Sequence, residues 1–396
     1  MKNRSMFLLF ALALTAALIL GACQPQTIIE TVEVEKIVEV EKEVEVEKVV
    51  EVEKEVEVEV EKIVEVEAVG GDVMYAEALA GKTICSVFPG PVNDAGWTTS
   101  AYLGLTNLRG KYNMNILYRE HTLPEETSDL LREYAESGCD FLHAHGFEYF
   151  DQINEVALEY PDLQFLQTSR GAGQDPNVIG LSFVSGEEGY FAGLEACQLT
   201  QTGTVAYIVG QTYPNLAWNG DMVKVAGEWL VDQGKIDGCN VEWLEVGDWA
   251  DPAKAKELTT AGIEQGIDVF ILVADAGDSG VVEAIEEARA DGKMAWAVSG
   301  VKDKNYLGPE FVVGGYEEMV PMQIELAMKA WVDNGNAPVG EAMPVGMRDG
   351  AIVLSPTYGI LPIEVEEEIF GILACYIEKG ADCEMMSPDV QFRTDL

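Results

Sequence analysis

The sequence predicts an α/β protein of two lobes, each a doubly wound parallel sheet, joined by a hinge. Two observations carry that expectation and a third bounds it. From Lys82 onward, short apolar runs alternate with helical segments, as they do where parallel sheets are covered by helices on both faces. The alternation runs through two successive series, which means two sheets. At 396 residues the chain also exceeds what one hydrophobic core usually serves.

In the first series "TICSVF", "MNILY", "CDFLHAH", "LQFLQT" and "VIGLSF" read as strands. The stretches "WTTSAYLGLTNLRGKY", "PEETSDLLREYAESG", "FEYFDQINEVALEY" and "EEGYFAGLEACQLTQ" read as helices. The second series runs "TVAYIVG", a helix through "AWNGDMVKVAGEWLVDQG", "NVEWLEVG", the helix "DPAKAKELTTAGIEQG", "IDVFILVA", "SGVVEAIEEARADG" and "MAWAVS". Glycine and Asp-Pro signals stand at the joints. Residues 80–200 with about 301–335 are assigned to lobe 1, and 201–300 with about 336–396 to lobe 2.

Two segments precede the lobes. Residues 1–22 carry Lys2 and Arg4, an apolar run from Met6 to Leu20 and a small-residue exit, the pattern of an export signal. The run is shorter than the roughly 20 residues a membrane span needs. The ending "LGAC" resembles a bacterial lipobox, which makes Cys23 the expected lipidation site and the cell membrane, on its extracytoplasmic side, the expected location. Residues 23–71 form an acidic tether built on "VEVEK", where every even position from Val32 to Val66 is Val or Lys. A period of two scatters valine around a helix axis and gives no apolar face. Glutamate repulsion favours an extended spacer. The 41 residues from Thr27 to Glu67 reach roughly 135 Å at about 3.3 Å each, and the Gly70-Gly71 pair closes the tether.

The net charge is −44, from 25 basic and 69 acidic residues. Phosphate binding needs clustered Lys and Arg, so a nucleic-acid partner is excluded. A neutral or cationic ligand suits the field better than a polyanion. Seven cysteines include no CxxC pair, which removes zinc-ribbon and thioredoxin readings. Cys375 and Cys383 can bridge in an oxidising compartment, whereas Cys85 in "KTICSVF" reads equally well as a small buried hydrophobe.

Ligands of open parallel sheets sit beyond the carboxyl ends of the strands. The loops there are 89–97, 119–124, 144–150, 210–218, 247–251 and 274–279, and they hold Trp97, Phe147, Tyr149, Phe150, Tyr213, Trp218 and Trp249. Such a concentration of rings predicts a cleft that sandwiches a flat ligand.

With these features in place the chain resembles the basic membrane protein family of purine-nucleoside-type substrate-binding lipoproteins of ABC transporters. The resemblance rests on "NDAGW" (93–97), "GFEYFD" (146–151), "YPDLQF" (160–165), "GYFAGLEA" (189–196) and "DWADPAKAKE" (248–257). It is nearest the branch whose first loop reads "DaGW". It implies a type I periplasmic-binding-protein fold that closes over a purine base or nucleoside and delivers it to a membrane permease, as a monomer and without a cofactor. Carried across, Asp94 and Trp97 match the first-lobe ligand loop, beside Asn93. Phe147 matches an aromatic after the third strand, Trp249 and Asp251 the "WfDP" element, and Asp275 an acidic position in the second lobe. His145 is expected to act as a hydrogen-bond donor in the cleft. Nucleoside-binding members carry a lysine where Gly315 and Tyr316 stand here, so a free base or another small ligand gains weight.

Asp251-Pro252 is also an ordinary helix start, with Asp as N-cap and Pro at N1, and Asn93 and Asp94 can likewise cap the following helix. The rival activity is a metal-dependent hydrolase using His143 and His145, whose side chains share one strand face; another is a sugar-binding role. No G-x-S-x-G, P-loop or G-x-G-x-x-G occurs, so other hydrolase, NTPase and dehydrogenase readings lack a motif.

Overall fold

The computed structural model describes residues 70–169, 172–174 and 176–396. The expected signal peptide, Cys23 and all of the tether up to residue 69 lie outside the described residues. A helix, α1 (Gly70–Leu79), begins at the glycine pair expected to close the tether.

The first sheet is built from β1 (Thr83–Val87), β2 (Asn115–Arg119), β3 (Phe141–His145), β4 (Gln164–Thr168), β5 (Val178–Phe183) and a late strand, β12 (Ala342–Val345). Their spatial order is β12-β5-β4-β3-β1-β2, and every pairing is parallel. Strands β3, β4 and β5 are buried at every position, whereas edge strand β2 is mostly exposed. That difference explains why the central strands read as unbroken apolar runs. The connecting helices are α2 (Trp97–Tyr112), α3 (Pro124–Glu136) and α4 (Phe150–Glu159). Helix α2 stops at Asn113, whose left-handed backbone (φ 54°) turns its N–H back to the Arg109 carbonyl, a common helix ending.

The second sheet has the order β10-β9-β8-β6-β7, again parallel throughout. Its strands are β6 (Thr204–Val209), β7 (Asn240–Glu245), β8 (Val269–Val273), β9 (Trp296–Ser299) and β10 (Val312–Val313). Its helices are α5 (Glu187–Leu199), α6 (Pro214–Asp232), α7 (Pro252–Glu264) and α8 (Asp278–Ala290). The chain then adds β11 (Tyr316–Glu318), α9 (Val320–Asp333), β13 (Ile352–Leu354) and α10 (Ile363–Lys379).

Several elements cross the lobe boundaries expected from the sequence. Helix α5 falls within 80–200 but packs on α6, β8 and β9 of the second lobe. Strand β10 falls within 301–335 but pairs with β9, and β12 falls beyond 336 yet pairs with β5. The cause is the path of the chain. It leaves the first sheet after β5, returns after β10 and leaves again after β12, so short strands complete whichever sheet edge they reach. Crossovers are tied together by the antiparallel pair β11·β13 and by a two-way backbone bridge between Ser185 and Arg393.

Disulfides join Cys85 to Cys139, Cys197 to Cys239 and Cys375 to Cys383. The last agrees with the sequence reading. Cys85 is corrected: it is buried as expected, but as half of a bond from β1 to the turn before β3.

Candidate functional site

The carboxyl ends of both sheets face a cavity of about 430 Å³ between the lobes. Asp94, Trp97, Phe147, Trp249 and Asp275 line it, as do Tyr213, Glu148, Ser182, Glu188 and Glu318.

Asp94 organises the first loop. Its Oδ1 accepts from the backbone N–H of Gly96 and of Thr99 and from the Thr99 hydroxyl, at 2.9, 2.9 and 2.8 Å; its Oδ2 accepts from Thr98 N–H at 2.9 Å. These bonds satisfy amides at the start of α2 that lack helical partners. Capping therefore occupies this carboxylate, although it still borders the cavity. Asn93 is corrected: it is exposed and absent from the lining, because the cap falls on its neighbour.

Trp97 is the first residue of α2, and its indole stacks on the His145 ring with centroids 4.2 Å apart and planes 20° from parallel. The His145 Nε2–H donates to the Trp97 carbonyl at 3.0 Å. His145 is fully buried beneath the indole and does not line the cavity, so the expected cleft donor is instead the support on which Trp97 rests. Burial lowers its pKa to about 3, which keeps the imidazole neutral.

Across the cleft, Asp275 follows β8 with a left-handed backbone (φ 51°) and accepts the Trp97 N–H at 3.1 Å. The lobes touch here, and Gly96 makes room: a Cβ on it would lie 2.3 Å from Asp275 Oδ1. Burial, and then the Asp94 charge, hold the Asp275 carboxyl well above the ordinary carboxylate value. The turn is fastened from behind by Asp278, whose Oδ1 accepts Ala274 N–H at 2.9 Å while Oδ2 takes the buried Lys304 ammonium at 2.6 Å.

Phe147 and Tyr213 stack across the mouth at 4.7 Å, and Tyr213 stacks in turn near Trp249 at 6.1 Å. Gly210 gives Trp249 its seat, since a Cβ there would lie 2.2 Å from the indole. Of the other loop aromatics, Tyr149 is buried with its hydroxyl donating to Thr122 O, and the Trp218 indole donates to Gln391 O; neither lines the cavity, nor does Phe150. Asp251 accepts from Lys254 N–H as an N-cap, with Pro252 at N1.

Sequence reasoning missed the floor. Glu188 and Glu318 both line the cavity and are both buried. Burial pushes Glu188 up to about 8, even though the Asn219 amide donates to it at 2.5 Å. Burial, then the Glu188 and Asp275 charges, hold Glu318 well above its ordinary value. The signal was present in α5, where a glutamate pair opens a helix buried on nearly every side. In the region where nucleoside receptors carry lysine, Tyr316 is buried and it is Glu318 that reaches the cavity.

His143 makes no metal centre. Its Nε2 lies 2.6 Å from Thr168 Oγ1 and its Nδ1 3.2 Å from Ser86 Oγ, and burial holds its pKa well below the ordinary value. Among the described residues no group of three or more His, Cys, Asp or Glu side chains is placed to hold a metal.

Two α/β lobes with parallel sheets, linked by crossovers over a ring-lined cleft, form the type I fold found in periplasmic solute-binding proteins. The family model described as "ABC transporter substrate-binding protein PnrA-like" matches residues 82–372, and the chain belongs to that family, whose role is to bind rather than to catalyse. Its relatives include the transcriptional activator protein med of Bacillus subtilis, 28% identical over 61% of this chain and 72% of that protein. Basic membrane protein A of Borreliella burgdorferi is 20% identical over 74% of this chain and 85% of its own length. The crystal structure of an ABC transporter solute-binding protein from Aeropyrum pernix shares the fold with a TM-score of 0.63, at 19% identity over 78% of this chain and 88% of that one.

Proposed function

We propose that the protein is the lipid-anchored receptor of an ABC importer, tethered through Cys23 on the extracytoplasmic side, where it closes as a monomer over a purine base or nucleoside and presents it to a permease. The observation that carries this reading is the pairing of aromatic faces with carboxyl groups in one cavity. Trp97, Phe147, Tyr213 and Trp249 offer flat surfaces to a heteroaromatic ring, and Asp275, Glu188 and Glu318 accept from amino, ring N–H or ribose hydroxyl groups. Three disulfides support an oxidising compartment. Hinge closure supplies the signal, because the permease can distinguish closed from open only if ligand stabilises one of them.

A sugar is the second reading, favoured by the same carboxyl floor, which suits a polyol. A thermal-shift screen of bases, nucleosides and sugars separates the two, since a ligand that binds only the folded state raises the melting temperature. A response to sugars alone would end the purine reading. For the anchor, Cys23→Ser is expected to move the protein from membrane to soluble fractions; retention in the membrane refutes lipidation at that residue.

A further inference from the structure

The cavity lining contains polar groups whose hydrogen bonding is incomplete among the described residues. Ser182, at the carboxyl end of β5, is 2% exposed, lines the cavity, and its Oγ has no partner among the described residues. The Asn215 Oδ1, at the start of α6, also lines it without a partner. Beside them stand the carboxyls of Glu188 and Glu318, with Asp275 and Asp94 further along the wall. None of the described lining residues is Lys or Arg. A buried ammonium behind the wall, Lys304, is held by Asp278 and by the Gly300 carbonyl.

We infer that Glu188, Glu318 and Ser182 form the selectivity floor of the cleft, reading hydrogen-bond donors on an uncharged ligand and excluding its phosphorylated forms. The inference rests on the reading of the cleft as a receptor for a small organic solute. The carboxyl pair offers acceptor lone pairs together with the protons it holds, while Ser182 can give or take one bond. A ligand carrying adjacent donors, such as a vicinal diol or an amino group beside a ring N–H, completes these bonds. A phosphate ester brings oxygens that are acceptors bearing negative charge into a wall rich in buried carboxyl groups, whose described lining holds no Lys or Arg to pair with them. Burial first, and then neighbouring carboxylates, raise the proton affinity of Glu188 and Glu318, so the floor already resists taking up negative charge, and a phosphate entering it meets the same cost. Glu187, Asp275 and Lys304 are the remaining charged groups that bear on them.

The test is calorimetric titration of the mature protein at neutral pH with two matched pairs, adenosine against adenosine monophosphate and ribose against ribose 5-phosphate. In at least one pair the uncharged member binds and its phosphorylated partner binds at least about a hundredfold more weakly, the scale expected when a charge is desolvated without a partner. Glu188→Gln and Glu318→Gln each narrow that ratio by about tenfold, since the amide adds a donor that a phosphate oxygen can use, and Ser182→Ala weakens both members of a pair and leaves their ratio unchanged. A phosphorylated member that binds within tenfold of its partner overturns the inference, as does an unchanged ratio in both glutamine variants. Binding of ribose without adenosine removes the purine reading and leaves the floor standing. If no compound of the four binds, the floor falls with it. Should a glutamine variant fail to fold by circular dichroism, the wild-type ratios and Ser182→Ala still decide the matter.

Discussion

The backbone N–H of Trp97 donates to Asp275 Oδ1 at 3.1 Å, from the first residue of a first-lobe helix to a left-handed turn of the second lobe. This bond exists only while the lobes are together, and it depends on Gly96 having no side chain. Gly96→Ala puts a methyl group 2.3 Å from that carboxylate oxygen, so Asp275 must swing away or the lobes must part. The expected result is a more open ligand-free population by small-angle scattering and an affinity loss of about 1–2 kcal/mol, the cost of a broken buried hydrogen bond. Unchanged affinity and radius of gyration would mean that the contact contributes nothing to closure.

Trp97 and Trp331 separate binding from packing. Trp97 faces the cavity on its His145 support, whereas Trp331 lies edge-on to Phe141 at 5.0 Å with the Lys82 ammonium 5.8 Å from its ring. Trp97→Ala should lose more than tenfold in ligand affinity with a small change in melting temperature. Trp331→Ala should lose stability, by about 3 kcal/mol or less given its partial exposure, and keep its affinity. Equal affinity losses by calorimetry would contradict the stacking role.

Glu195 makes stability depend on pH. It is fully buried in α5, its carboxyl oxygens have no hydrogen-bond partner among the described residues, and burial together with the Glu366 charge pushes it up to about 8. A carboxyl raised in the folded state leaves stability intact below its unfolded value, near 4.3. Stability then falls as pH rises from that value to the folded one, about 8, and levels off above it. Glu195→Gln removes that fall. Urea unfolding should show wild type and variant alike near pH 4, and the variant more stable by several kcal/mol, about 5 at most, above pH 8; a constant difference at both pH values would refute the buried ionisation.

The disulfides should differ in worth. Cys85–Cys139 spans 54 residues and Cys375–Cys383 only 8. By loop-closure entropy, replacing both partners with alanine should cost about 4 kcal/mol for the first and about 2.5 for the second. Denaturant midpoints that rank them in reverse would show that native-state strain, rather than the unfolded chain, controls the effect.

The sequence by itself determined the two parallel sheets, because unbroken apolar runs such as "VFILV" and "FLHAH" are buried on both faces and only a helix-covered parallel sheet supplies that burial. It also determined which loops bear the rings, since ligand-facing loops follow strands in a fixed chain order. The Asp251 cap was legible for a related reason: Asp before Pro at a helix start is a local signal with a local cause. What lay beyond it were decisions made by neighbours distant in the chain. Asn93 and Asp94 are adjacent in sequence, yet only Asp94 reaches the amides of Thr98 and Thr99. His145 looks like a donor for ligand until Trp97, 48 residues away, folds over it. Glu188 on α5 and Glu318 on β11 are far apart in the chain and meet only because the chain crosses between lobes more than once. Periodicity records which face of an element is buried; which buried groups confront one another across a cleft is fixed by the crossovers and by the closure of the lobes.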